Sequence, residues 1–201
     1  MSRLLLVRHG NTEMNSAQIF VGHTDVELSA TGYRQVERLR DRLSAEKIDV
    51  IYASDLKRAL VTAETIASKH QLEVITFPEL REINYGSLDG LTFEEIRRLY
   101  PEVAELCVGW SPQLRFPEGE SVDELNQRVS RFLDGLKQHA PEETILIVAH
   151  GGPLRLMVCS LLGIELWHWR QIHVDLASLS IVHTYPEVAI VSLLNDTSHL
   201  R

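Results

Sequence analysis

The chain has 201 residues, a formal net charge of −8 and two cysteines. Its length suits one large domain, able to bury roughly 70% of its unfolded surface without covalent staples. The acidic balance argues against a nonspecific nucleic-acid binder, which presents a basic face, while leaving room for a few local arginines to hold a small anion.

Cys107 and Cys159 are too few for a disulfide framework, so a reducing cytoplasm is the expected location. The first apolar run, 4–7, meets Arg8 and His9 at once, and no later segment reaches about 18 apolar residues. Neither a leader nor a membrane span is therefore expected.

In chain order, 3–7 predicts a buried strand and 31–44 a helix with Val36, Leu39 and Leu43 on one face. Residues 48–53 predict a second strand. Ser54 or Asp55 then offers an N-cap for a helix through Leu60, Ala63, Ile66 and Ala67. A short strand over 72–77 stops before Pro78. Thr92 with Glu95, and Ser121 with Glu124, have capping-box spacing. The second box opens a helix in which Val122, Leu125, Val129, Phe132, Leu133 and Leu136 keep a 3.6 period. Residues 145–149 predict a strand, and Pro153 suits a first helical position. The next segment, 154–162, is apolar nearly all round, as a buried helix is, and Gly163 ends it. Two closing strands, 178–184 and 188–193, flank Tyr185-Pro186-Glu187.

This alternation predicts an α/β fold, a three-layer α/β/α sandwich with a mostly parallel sheet and helices on both faces, as a single domain over 1–201. Only 86–118 lacks a clear strand, which predicts a small helical cap.

Two apolar strands end alike, on "LLLVRHG" (4–10) and "ILIVAHG" (145–151). Parallel strands present their carboxyl ends on one edge, where ligands of such folds bind. His9 and His150 would meet there, each followed by a glycine that permits close approach or positive φ. A lone histidine at a strand end is an ordinary satisfied side chain; two in matching context point to one site. Arg58 falls in the first turn of a helix at the same edge, an unfavourable place for a cation unless an anion is near. Arg8 adds a second guanidinium fork suited to phosphate or carboxylate. Asn15 and Thr12 lie in a loop over the strand end. Glu82 is a candidate acid, since like-charge repulsion near a bound dianion favours a protonated carboxyl group. Spacing alone does not single it out from the 28 acidic residues.

Arg8-His9-Gly10-x-Thr12-x-x-Asn15, Ser54-Asp55-Leu56-x-Arg58-Ala59-x-x-Thr62-Ala63, Glu82 before Tyr85-Gly86 and Gly90, Gly119-Glu120-Ser121 and Ala149-His150-Gly151-Gly152 follow one another in order. Together they resemble the histidine phosphatase, or phosphoglycerate-mutase-like, superfamily. The resemblance implies that His9 is the nucleophile that becomes phosphorylated, with its Nδ1 proton held by a backbone carbonyl. It implies that Arg8, Arg58 and His150 clamp the phosphoryl group and that Asn15, Gly22 and Gly151 complete substrate binding. Glu82 would donate and later accept the proton. The arginines would neutralise charge, so neither metal nor cofactor is implied.

Mutases of the superfamily generally carry an arginine directly after the acidic residue and a longer cap. This chain has Ile83 there and is short, which favours hydrolysis over phosphoryl transfer to a sugar acid. The segment from Leu80 through Glu82 and Tyr85 to Ile96 resembles short phosphatases, including alpha-ribazole phosphatases of cobalamin assembly, and also broad-specificity and fructose-2,6-bisphosphatase relatives. A small phosphorylated metabolite such as alpha-ribazole 5'-phosphate is the expected substrate, with no nucleic-acid or membrane partner. Trp110, Phe116 and Tyr100 could stack on a base or form the cap's own core. Trp167-His168-Trp169 could pack internally or form a homodimer contact. Histidines 23, 70, 139, 173, 183 and 199 lack a zinc-binding pattern and are expected to be solvated. The sequence has no Gly-x-x-x-x-Gly-Lys loop, dinucleotide fingerprint or Gly-x-Ser-x-Gly elbow, which removes the obvious rival enzymes. A non-catalytic phosphate-binding domain is the rival reading from another class.

Overall fold

A computed structural model of the chain describes residues 2–109 and 114–201, with Val108 and Gly109 described by their backbone alone. The elements run β1 (Ser2–Arg8), α1 (Glu13–Ser16), α2 (Ala30–Leu43), β2 (Val50–Ala53), α3 (Lys57–Ala67), β3 (Val74–Thr76), α4 (Phe93–Leu99), α5 (Pro101–Gly109), α6 (Val122–Leu136), β4 (Thr144–Ala149), α7 (Gly151–Leu162), β5 (Leu179–Thr184) and β6 (Ala189–Asp196). Among the described residues six strands form one sheet in the order β3-β2-β4-β1-β5-β6. The first four run parallel, while β5 pairs antiparallel with β1 and with β6. The sheet is thus mostly parallel, as the alternation predicts.

The unbroken apolar runs of the central strands have a simple cause. Side chains alternate faces along a strand, and here both faces are covered. Leu4, Leu6, Ile145 and Ile147 join α6 and α7 in one core, whereas Leu5, Val7, Leu146 and Val148 join α2 and α3 in the other. Val36, Leu39 and Leu43 are buried as their period predicts. So are Val122, Leu125, Val129 and Phe132, with Leu133 and Leu136 partly buried against the same core.

Several boundaries depart from the sequence expectation for tertiary reasons. Neither Ser54 nor Asp55 caps α3: its N-cap is Leu56, with no side-chain cap bond. The Lys57 N–H instead donates to Asp25 Oδ1 at 2.8 Å, from a loop 32 residues away. Asp55 binds Arg81 through both carboxylate oxygens. Helix α7 starts at Gly151, so Pro153 is its third residue rather than its first. Gly163, at φ +65°, supplies the left-handed C-cap.

Between Gly86 and Glu118 the described segments are a 3-10 turn (Gly86–Leu88), α4 and α5. Their inward residues Leu88, Ile96, Val103 and Ala104 merge with the core under α6 and α7. Phe116 is fully buried there, edge-on to Tyr85, so it packs the core instead of presenting a stacking face. Tyr100 is partly buried against the same cluster. Trp110 lies outside the described residues. Both cysteines are free and buried. Among the described residues no helix is long and apolar enough to cross a membrane.

Candidate active site

The register of β1 against β4 pairs Val7 with Val148 and Arg8 with Ala149, so His9 and His150 fall side by side one step past the strand ends. The His9 N–H extends the ladder to Ala149 O at 3.1 Å. Their ring centroids lie 4.9 Å apart, tilted by 58°. Gly10 is required by close approach, not by positive φ: a Cβ there would stand 2.7 Å from Val36 Cγ2 and 2.9 Å from the Gly32 carbonyl oxygen on α2.

His9 is 3% exposed. Its Nδ1 sits 2.7 Å from the Gly10 carbonyl oxygen, which can only accept. In a neutral ring the proton therefore resides on Nδ1, leaving a lone pair on Nε2. Burial is the largest cause holding the His9 pKa well below the usual histidine range, with Arg58 and then Arg8 adding to it. The cationic neighbours act in the expected direction, but desolvation leads. His150, fully buried, is also held well below that range, first by burial and then by Arg58. Its Nδ1 accepts from Arg58 Nε at 3.2 Å and its Nε2 lies 2.9 Å from Ser54 Oγ.

Arg58 is 1% exposed, at the second residue of α3. Besides His150 it donates to Thr24 O at 2.9 Å and Gly22 O at 2.7 Å. Five N–H groups less three bonds leave two, one on each terminal nitrogen, for an anion's oxygens. No carboxylate lies within ion-pairing distance of it among the described residues, and a buried guanidinium without one calls for an anionic partner. Arg8 is anchored by Val174 O at 2.7 Å, while its Nε is buried without a partner.

Glu82, 8% exposed, lies at the mouth of α7. Its Oε1 accepts from Gly152 N at 3.0 Å and Ile83 N at 2.9 Å. A Cβ on Gly152 would come within 2.4 Å of that oxygen, so the second glycine after His150 is what lets the carboxylate dock. Asn15 is the third residue of α1, where its Oδ1 accepts from the Thr12 N–H and hydroxyl. This leaves its NH2 group as the donor end of the side chain. Gly22 spends both backbone groups inside the protein, its N–H on Asp89 and its C=O on Arg58. Gly151, first residue of α7, would carry a Cβ 3.6 Å from Arg8 Cζ.

Sequence reasoning passed over Arg128. From α6 it donates to the carbonyls of Glu79, Arg81 and Glu82 at 2.6 to 2.8 Å and pairs with Glu120 at 2.6 Å. Glu120 in turn accepts from Asn84 N at 2.8 Å. Together with Arg81–Asp55, this network grips the segment carrying Glu82 from both sides. Its signal in the chain was slight: an arginine at a polar position of an amphipathic helix reads as solvated. The other histidines depart from the solvated expectation too, and only His173 of the six is exposed. His23 Nε2 donates to the Glu82 carbonyl at 3.0 Å, and His139 bridges Tyr52 and Glu143.

Among the described residues no three His, Cys, Asp or Glu side chains are grouped to hold a metal ion. An open cavity of about 590 Å³ at the opposite edge of the sheet, lined by Ser2, Leu4, Leu133, Ile145 and Val188 among others, contains none of the site residues.

Comparison with known proteins identifies the family. Residues 4–197 match the family described as "Histidine phosphatase superfamily (branch 1)". Phosphoserine phosphatase 1 of Hydrogenobacter thermophilus is 36% identical over 200 residues, spanning all of this chain and 95% of the relative. The crystal structure of the alpha-ribazole phosphatase from Shigella flexneri superposes with a TM-score of 0.90 at 31% identity, covering 96% of each chain. Phosphoserine phosphatase from Entamoeba histolytica, solved with 3-phosphoglyceric acid, superposes with a TM-score of 0.86 at 28% identity over the whole of both chains. The chain belongs to branch 1 of the histidine phosphatase superfamily.

Proposed function

We propose that the protein is a phosphomonoesterase that works through a phosphohistidine on His9. The observation that carries this reading is the pair of buried rings 4.9 Å apart, flanked by a buried arginine with no carboxylate in ion-pairing range among the described residues. Nε2 of His9 attacks phosphorus, and the bond to the departing alcohol's oxygen breaks. Glu82 supplies the proton that this oxygen takes up. Arg58, Arg8 and the Asn15 amide hold the equatorial oxygens, and most of the rate enhancement comes from this positioning and charge stabilisation. His150 lies against the nucleophile and fixes Nε of Arg58. Water then attacks phosphorus, the P–N electron pair returns to Nε2, and Glu82 accepts the water's proton, which restores the enzyme.

Hydrolysis is favoured over mutase chemistry by Ile83. It occupies the position where mutases carry an arginine, and it is fully buried in the core, where it can offer no charge to a substrate carboxylate. The substrate is a small phosphorylated metabolite. Phosphoserine and alpha-ribazole 5'-phosphate are the two candidates suggested by the relatives' names. Two free, buried cysteines support a reducing, cytoplasmic setting. Trp167, 59% exposed beside the buried Trp169, supports a homodimer contact, which sedimentation of the wild-type chain decides.

The test is hydrolysis of p-nitrophenyl phosphate in EDTA, with acid-quench trapping of the enzyme. Turnover and an acid-labile phosphoenzyme that both vanish in His9→Ala are expected. Turnover that survives in His9→Ala would reject the assignment.

A further inference from the structure

We propose that Arg155 forms, beside Arg8, a second anion subsite that selects phosphomonoesters bearing a carboxylate a short link away from the phosphate. The inference rests on the phosphatase reading and sharpens its substrate class.

Two guanidinium groups converge over the first turn of α7. A Cβ built on Gly151 would lie 3.4 Å from Arg155 Nη1 and 3.6 Å from Arg8 Cζ, so both cations approach one point. The same short extended stretch anchors them: Arg155 Nε donates to Ile172 O at 2.9 Å, and Arg8 Nη1 donates to Val174 O at 2.7 Å. Backbone carbonyls satisfy hydrogen bonds without cancelling charge. Among the described residues Arg155 makes no ion pair. Of the acids that act on Arg8, Glu82 is docked on backbone N–H groups and Asp175 is committed to Asn195 and His173 at 2.8 Å each. Arg170, on the 3-10 segment Leu166–Gln171, adds to the positive potential felt by Arg155 and Tyr85.

Like charges held side by side by fixed carbonyls are stable when an anion lies between them. Arg8 is already committed to phosphoryl oxygens in the proposed chemistry. Arg155, tied down at Nε, keeps its terminal nitrogens as a planar fork, which matches a carboxylate bidentately. Convergence over a single glycine requires that the two anionic groups of the substrate be only a few atoms apart. Phosphoserine and phosphoglycerate have that form; alpha-ribazole 5'-phosphate does not.

The experiment compares kcat/KM for O-phosphoserine, O-phosphoethanolamine and p-nitrophenyl phosphate in the wild type, Arg155→Gln and Arg155→Lys. Wild type should prefer phosphoserine to phosphoethanolamine by at least about tenfold, the scale of one charge-assisted bidentate contact. Arg155→Gln should erase that preference, mainly through KM, and Arg155→Lys should restore part of it. A preference missing in wild type, or equal losses on all three substrates, would overturn the subsite. A second readout needs no variant: phosphonoacetate should inhibit wild-type p-nitrophenyl phosphate hydrolysis at least tenfold more tightly than methylphosphonate. Equal inhibition would also overturn it. Loss of all turnover and of the phosphoenzyme in wild type would instead overturn the phosphatase reading itself.

Discussion

Nε of Arg58 donates to Nδ1 of His150 across 3.2 Å, inside a pocket where neither side chain is more than 1% exposed. This bond fixes one edge of the guanidinium, while Gly22 and Thr24 fix the tips, so the remaining N–H groups point where they do without reorganising during reaction. Arg58→Ala should therefore lower kcat by about 10²–10³, the scale for one lost stabilising donor. Arg58→Lys should recover little, because an ammonium cannot span the ring and both carbonyls. Steady-state kinetics on p-nitrophenyl phosphate checks this. A rate close to wild type would remove Arg58 from the chemistry.

Glu82 docks on the Gly152 and Ile83 N–H groups, and proton donation to the leaving group is its proposed task. Glu82→Gln keeps the shape and removes the proton transfer. Its rate loss should be at least about tenfold larger for alkyl phosphates, whose alkoxides leave poorly, than for p-nitrophenyl phosphate. A plot of log kcat against leaving-group pKa should steepen. Parallel lines for wild type and variant would count against the donor role.

Arg128 acts as a positioning residue, because its five bonds go to the backbone around Glu82 and to Glu120, with none to a reacting atom. Arg128→Met should destabilise the fold by about 3–5 kcal/mol, since Glu120 is left as a largely buried charge without its partner. Denaturant midpoints measure that. The kinetic signature separates positioning from bulk stability: in the folded fraction, leaving-group sensitivity should shift in the same direction as for Glu82→Gln. Loss of stability with an unchanged leaving-group slope would restrict Arg128 to the scaffold.

His9 and His150 set a pH dependence of stability whose sign follows from their depressed pKa values. Below about pH 6.5 the unfolded chain takes up protons that the folded rings refuse, so the unfolded state binds more protons. The stabilising contribution is complete above that value and declines as pH falls toward the folded-state pKa values. Denaturant midpoints should be flat between pH 8 and 7 and should fall between about 6.5 and 5, by up to about 1.4 kcal/mol per pH unit for each ring. His9→Gln with His150→Gln should flatten that decline. An unchanged slope in the double variant would place the protons elsewhere.

Much of this architecture was legible in one dimension. Two apolar tetrads ahead of histidine-glycine announced buried parallel strands, because only a strand covered on both faces tolerates apolar side chains at four successive positions. The capping boxes at Thr92 and Ser121 are purely local, and both form as their spacing predicts. The N-terminus of α3 was not legible, since its cap comes from Asp25 and local propensity carries no word of a distant carboxylate. The same reason hid Arg128, whose partners are carbonyls that any residue could supply.

By itself, then, the order of side chains determined the alternation of elements, the edge on which the two histidines fall and the residue types that meet there. Those depend on periodicity and on backbone preferences that act over a few positions. Only the tertiary structure decided that the His9 proton sits on Nδ1, that burial outweighs the arginines in keeping both rings neutral, and that Glu82 is gripped from α6. The first follows from the ring's turn onto its neighbour's carbonyl, the second from desolvation, and the third from hydrogen bonds between segments far apart in the chain; none exists until the layers close.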